Sequence, residues 1–352
     1  MDYRTAAKGI TQGKALPIYV CYGTEKYLQQ EFITHLIDKL VEPEQRPFAV
    51  SRFDLSETSL DTVLDDAETL PFLVDKKIVI AKNALFFTGA KESAKIEHRI
   101  DRLLEYMKSP VDYAVIVFVV DSDKLDERKK IVKALKDSQA AVPFLPLSAE
   151  ELTRWITRRA DKWGVTFADG ALEQFILYTG AQLQLITAEL EKLSLFAGQN
   201  GQITGELIGQ LVVRSTEQNV FILMDDIVRQ RLDNALMLLH ELLKQREEPI
   251  KILLLMARQF RMILQIKELE HQGYSQQQIA GQISAHPYAV KLASEQGRSY
   301  SLAKLSEMLS ELGELDYRMK SGKVDKALGL ELFILGMPAL VTVHNPVKRG
   351  GN

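Results

Sequence analysis

A single cysteine in 352 residues, Cys21, rules out a disulfide within the chain and a multi-cysteine zinc site, and fits a reducing cytosol. It falls in a predicted strand, where a thiol serves as a small buried hydrophobe. Long apolar runs are missing too: the longest, A-V-I-V-F-V-V from Ala114, has the length of a strand and cannot span a bilayer. The opening M-D-Y-R-T-A-A-K carries no signal-peptide core, so a cytoplasmic protein without membrane association is expected. No sign of charge dominates. A net charge of −3 argues against a chain basic all over that wraps nucleic acid, while a local basic patch stays open. The six histidines have no ligand spacing, and neither H-E-x-x-H nor G-x-S-x-G occurs, so no metal, cofactor or catalytic site is expected. What remains is the composition of a globular protein, 46% hydrophobic and 26% charged, long enough for two or three domains.

Along the first part, strands alternate with helices. Strands are expected at Leu16 to Tyr22, Phe48 to Phe53, Ile78 to Ala81, Tyr113 to Val120 and Ala140 to Leu145, which argues for a mainly parallel sheet covered on both faces. Helices fall between them, one following Gly23 and Thr24, one ending at Pro71, one from Arg99 to Met107 and one from Asp126 to Lys136. At Ser148 the character changes: Ser148 and Glu151 form a capping box, and no convincing strand follows. Helices are expected near 148–163, 169–179, 182–197 and 204–212, then a polar linker R-S-T-E-Q-N from Arg214, then long amphipathic helices from Val220 to about Gly336. The ending N-P-V-K-R-G-G-N reads as frayed.

A strand, a glycine turn and a helix near the N-terminus invite a phosphate loop. That chemistry needs G-x-x-x-x-G-K-[ST], whose backbone amides, lysine and hydroxyl hold phosphates and magnesium. Here Y-G-T-E-K-Y-L-Q-Q offers Gly23, Thr24 and Lys26, without a second glycine or a Lys-Ser/Thr pair. The strand I-V-I-A ends in Lys82 and Asn83, where a nucleotidase would place carboxylates. Asp121 and Asp123 after the fourth strand read as helix-start residues rather than a metal pair, and His286 in A-H-P-Y as a cap or packing group.

The stretch D-D-A-E-T-L-P-F-L-V-D-K-K-I-V-I from Asp65 holds a helix with an apolar face, a proline stop, the bulky pair Phe72 and Leu73, and a charged step before a buried strand. Two readings are open: the pair folds back into the core, or it is an exposed anchor for a partner's pocket. Arg128, Lys129, Lys130, Lys133 and Lys136 lie on one expected helix, in isolation a solvated face.

The ordered set P-I-Y-V-C-Y-G-T-E-K-Y-L, L-P-F-L-V-D-K-K-I-V-I, D-K-L-D-E-R-K-K, G-A-Q-L-Q-L-I-T-A-E-L-E-K-L, E-P-I-K-I-L-L-L-M-A-R-Q-F-R, A-H-P-Y-A-V-K, L-D-Y-R-M-K-S-G and L-G-L-E-L-F-I resembles the delta subunit of the bacterial DNA polymerase III clamp loader. The resemblance runs from about Leu16 to about Gly336. It implies an α/β plus all-α, AAA+-like chain: a parallel five-stranded domain over 1–147 with a degenerate nucleotide site, a helical lid over 148–213, and a helical collar over 214–340 that assembles with other subunits. It implies that this chain neither binds nor hydrolyses ATP, and it counts as a non-catalytic component of a DNA-directed DNA polymerase complex. The implied partners are the sliding clamp (beta subunit), the tau/gamma ATPase and delta-prime subunits, and primed DNA.

By position, the hydrophobic pair that enters the clamp's pocket in this family falls on Phe72 and Leu73, with Leu70 and Val74 assisting. The basic helix would touch DNA phosphates from the chamber wall. G-A-Q-L-Q lacks the arginine of nucleotide-sensing lids, and no S-R-C follows the fourth strand. Arg258, Phe260 and Arg261, and Lys320 and Gly322, read first as helix packing and second as intersubunit contacts. The alternatives are a passive, delta-prime-like ring subunit and an active AAA+ ATPase.

Overall fold

The computed structural model describes residues 1–90 and 96–340, with side chains through 336; the expected tail at 341–352 lies outside the described residues. The chain divides into two compact units, Met1–Pro146 and Leu147–Asn352.

In the first unit five parallel strands, β1 (Ile18–Tyr22), β2 (Val50–Asp54), β3 (Lys77–Lys82), β4 (Ala114–Val120) and β5 (Ala141–Pro143), form one sheet in the order β2-β3-β4-β1-β5. The central strand β4 is wholly apolar, and β3 is apolar between its terminal Lys77 and Lys82, because helices cover both faces of the sheet. Their register sets Val79 beside Ile116, and Val20 of β1 sits beside Phe118. Among its described residues the α-helices are α1 (Tyr3–Thr11), α2 (Lys26–Leu40), α3 (Arg46–Ala49), α4 (Leu60–Glu68), α5 (Ile100–Lys108) and α6 (Lys130–Asp137).

Two features depart from expectation. Helix α1 was not foreseen: Asp2 caps it by accepting the Arg4 and Thr5 N–H groups, and Ala6 and Ile10, four apart, are buried. Phe48, read as the start of the second strand, lies in α3 and is exposed; Pro47 presets the helical φ of that short turn.

The second unit runs through α7 (Ala149–Lys162), β6 (Thr166–Phe167), α8 (Ala171–Thr179), α9 (Leu183–Ala197), β7 (Gln202–Ile203), α10 (Gly205–Leu211), α11 (Thr216–Val228), α12 (Leu232–Lys244) and α13 (Pro249–His271). It closes with α14 (Gln276–Gln282), α15 (Pro287–Gly297), α16 (Leu302–Lys320) and α17 (Lys326–Leu340). Ser148 and Glu151 make the capping box read in the sequence. The expectation of no strand here is corrected: β6 and β7 pair in parallel, Thr166 beside Gln202 and Phe167 beside Ile203. Two residues are too few for an alternating pattern to register. The supposed linker R-S-T-E-Q-N in fact starts α11, because Ser215 and Gln218 form a second capping box. From α11 onward the helices share one core that includes Leu239, Met256, Phe260 and Ile263, with Tyr300 set edge-on to Phe260 at 6.0 Å between centroids. Among the described residues no helix is long and apolar enough to cross a membrane.

Candidate partner-binding tip and the loop after β1

Helix α4 begins at the Ser59 cap and buries Leu60, Val63, Leu64 and Ala67 along one face. It ends at Glu68, two residues earlier than its apolar pattern indicates. Leu70 precedes Pro71 and is thereby turned away from the helical region, and Thr69 is already extended at ψ 128° while its hydroxyl donates to the Asp65 carbonyl at 2.7 Å. The segment from Thr69 to Lys76 is a loop between α4 and β3. Leu70, Phe72 and Leu73 on it are 74%, 73% and 72% exposed, while Pro71 and Val74 are half-buried. Inward packing of the Phe72–Leu73 pair is therefore not what the structure has. Leu73 also takes φ +61°, a left-handed conformation that costs a residue with a Cβ roughly 1–2 kcal/mol.

Both ends of this tip are tied down. Lys77, buried at the start of β3, donates through Nζ to the Asp66 carbonyl and to Asp66 Oδ1, both at 2.7 Å. The Tyr113 hydroxyl donates to the Glu68 carbonyl at 2.7 Å, and Lys76 Nζ donates to the Asp112 carbonyl. On the outer face of α4, Arg102 from α5 reaches Asp65 at 2.6 Å, Glu68 at 2.8 Å and Asp61 at 3.3 Å. Its hydrogen bond to Asp65 leads the contacts that hold the guanidinium above its ordinary range, and Arg99 holds the Asp61 carboxyl below the usual carboxylate range. These anchors were not anticipated. The one signal was Lys77 itself, a lysine placed where a buried strand begins.

The loop after β1 is occupied by contacts among the chain's own residues. Gly23 has φ +130°, and a Cβ there would stand 2.0 Å from the Phe144 carbonyl oxygen, so glycine serves the close approach of two backbone segments. The Glu25 amide is engaged by that same oxygen at 3.0 Å. Glu25 itself caps α2, its carboxylate accepting the Tyr27 N–H at 3.3 Å; burial pushes its pKa up. An anionic side chain thus sits at the helix N-terminus where a phosphate would bind. Lys26 pairs with Asp121 at 2.8 Å across the carboxyl ends of β1 and β4, neighbours whose connections leave in opposite directions along the sheet. Thr24 and Lys82 are exposed, and Asn83, at φ +59°, donates to both carboxylate oxygens of Asp54. No group of three or more His, Cys, Asp or Glu able to hold a metal occurs among the described residues.

The basic segment is not one helix. α6 begins at Lys130, and Arg128 and Lys129 occupy the turn before it, because Asp126 accepts the Arg128 N–H at 3.2 Å in a local turn that competes with helix. Arg128 also bonds Asp126 with its guanidinium, Lys129 Nζ donates to the Phe86 carbonyl at 2.8 Å, and Lys136 pairs with Glu127 at 2.6 Å. Lys130 and Lys133 are exposed. Asp121 and Asp123 likewise lie in the loop, well before the helix they were expected to start.

A parallel sheet in the order β2-β3-β4-β1-β5, followed by a helical unit, makes this a mixed α/β chain. Residues 19–144 match the family described as DNA polymerase III, delta subunit, and residues 217–337 match the family described as the C-terminal domain of the DNA polymerase III delta subunit. The chain is 42% identical over 328 residues to DNA polymerase III subunit delta of Bacillus subtilis, covering 93% of this chain and 94% of that one. It is 24% identical over 258 residues to a probable DNA polymerase III subunit delta of Aquifex aeolicus, covering 73% and 72%. The solved Bacillus subtilis DNA clamp loader delta protein superposes with a TM-score of 0.76 at 41% identity, over 96% of this chain and 99% of that one. The chain belongs to the DNA polymerase III delta subunit family.

Proposed function

We propose that this chain is the clamp-binding subunit of a DNA polymerase III clamp loader, and that Phe72 and Leu73, helped by Leu70 and Val74, insert into a pocket of the sliding clamp and hold its ring open for loading onto primed DNA. The observation that carries the reading is three large apolar side chains, each more than 70% exposed, on a loop bonded down at both ends. Such a loop loses little freedom on binding, so more of its burial energy appears as affinity. Burying two such side chains supplies roughly 3–6 kcal/mol before the costs of association. A ring opens only as far as a ligand prefers its open state, so the tip acts by differential affinity.

In this reading the first 147 residues carry the tip, 148–213 serve as lid, and 214–340 form the collar that joins the tau/gamma and delta-prime subunits in a cytoplasmic hetero-oligomer. The chain itself hydrolyses no ATP: Glu25 and the Phe144 carbonyl occupy what a phosphate would need, and neighbouring subunits supply the nucleotide chemistry. A passive, delta-prime-like role leaves the exposed tip without a purpose. Retention of the full chain on immobilised sliding clamp tests the proposal. Phe72→Ala with Leu73→Ala should weaken it at least about a hundredfold while co-assembly with the other subunits survives. Undiminished clamp affinity overturns it.

A further inference from the structure

Three motifs that the tip does not use come together in the second unit. G-A-Q-L-Q from Gly180, M-A-R-Q-F-R from Met256 and A-H-P-Y from Ala285 are far apart in sequence, yet all contribute to one groove of 510 Å³ bounded by α8, α11, α13 and α15. Its apolar lining includes Ile176, Val220, Phe221, Leu255, Met262 and Leu292. Gly180 forms one wall with φ +68°, and a Cβ there would meet the Gln218 amide nitrogen at 2.9 Å, so any side chain at 180 would crowd the groove.

The charged groups of the groove are unbalanced. Arg258 and Arg261, one turn apart on α13, face a single carboxylate, Glu217, which is 3.7 Å from Arg258. Arg261 makes no ion pair among the described residues. An unsatisfied nitrogen lies buried behind the wall. His286 accepts the Tyr288 N–H at Nδ1, which fixes the neutral ring as the Nε2–H tautomer, and that Nε2 has no hydrogen-bond partner among the described residues. Gln259, by contrast, is engaged by Gln296 at 3.0 Å.

We propose that this groove binds an acidic, apolar peptide segment of another protein, its carboxylates held by Arg258 and Arg261 and its apolar side chains laid on the floor. The size falls within the range of ligand sites, but small-molecule sites enclose their ligand, whereas Arg258 is about three-quarters exposed. Cations on the rim and apolar groups at the centre are the anatomy of a protein–peptide contact. The chain's own last residues, 341–352, have the wrong charge: they contain Lys348 and Arg349 and no Asp or Glu.

The test pans a phage library of short random peptides on the full chain and measures the selected peptides by fluorescence anisotropy. The expected result is enrichment of Asp or Glu beside Leu, Ile or Phe, with affinity falling at least about tenfold for Arg258→Ala with Arg261→Ala and unchanged for Phe72→Ala with Leu73→Ala. Failure to enrich any peptide, enrichment without acidic residues, or equal binding by the arginine variant would overturn the proposal. Full displacement of the peptide by inorganic phosphate would reassign the groove to a small anion. Self-association of the chain that the arginine variant abolishes would reassign it to a second copy.

Discussion

Lys77 Nζ lies 2.7 Å from both the carbonyl oxygen and Oδ1 of Asp66, so the first residue of β3 is bonded to the last turn of α4 across the base of the exposed tip. A cation at a helix C-terminus also answers the partial negative charge of the carbonyls there. The ammonium is almost wholly out of water, and the bond fixes where the chain leaves and re-enters the fold around Phe72 and Leu73.

Replacing Lys77 by Met keeps the volume and removes all three effects. Asp66 is then left partly buried without its cation, and the expected loss is about 2–3 kcal/mol. Urea unfolding of the variant should show a lower midpoint with an unchanged slope, since the surface exposed on unfolding stays the same. Clamp retention should fall as well, because the tip would no longer be held in one arrangement.

Gly23→Ala separates a structural glycine from a phosphate-binding one. The added methyl would overlap the Phe144 carbonyl, at a φ that side chains rarely adopt. The expected loss is at least about 2 kcal/mol, seen as a fall in thermal midpoint, as strain and overpacking add. Added ATP should not restore the midpoint of the variant, nor raise that of the unsubstituted chain, because Glu25 holds the α2 N-terminus.

Much of this was legible in the sequence. β3 and β4 announce themselves as unbroken apolar runs because both faces are covered, and the change at Ser148 is marked by a capping box whose two bonds are purely local. The errors arose where long-range or competing local bonds decide. The Asp126 side chain takes the Arg128 amide and delays α6 by one turn; Pro71 ends α4 from three residues away; β6 and β7 exist only because each pairs with the other. At the candidate site, the pair Phe72–Leu73 could be named from its place between a proline and a charged step. The residues alone left both directions open, since the direction depends on Lys77, Tyr113 and Arg102 reaching across from other elements, and the outward reading rested on the family resemblance.

His286 predicts a pH dependence. Burial holds its imidazole down to about 4, against an ordinary 6.5, so between those values the unfolded chain binds a proton that the folded chain refuses. Stability contributed by the neutral ring is complete above pH 6.5 and declines as pH falls toward 4, by up to about 2–3 kcal/mol. His286→Asn retains a side-chain oxygen to cap α15 and has no proton to take up. Urea midpoints at pH 7 and pH 5 should converge for the variant and diverge for the unsubstituted chain. Equal pH dependence in both would show that His286 does not set it.

The basic segment yields a prediction that depends on which cations are already engaged. Lys129 is bonded to the Phe86 carbonyl and Lys136 to Glu127, which leaves Lys130 and Lys133 as the exposed lysines of α6 without an ion pair among the described residues. Each phosphate contact releases condensed counterions and adds about 0.9 to the slope of log affinity against log salt on duplex DNA. A clamp loader assembled with Lys130→Ala and Lys133→Ala should therefore bind primed DNA with a slope shallower by about 2. Lys129→Ala should leave the slope alone and instead cost the fold about 1 kcal/mol through the lost bond to Phe86. If the slope does not move with Lys130 and Lys133 gone, this face of the chain does not touch DNA, and its charge serves solubility alone.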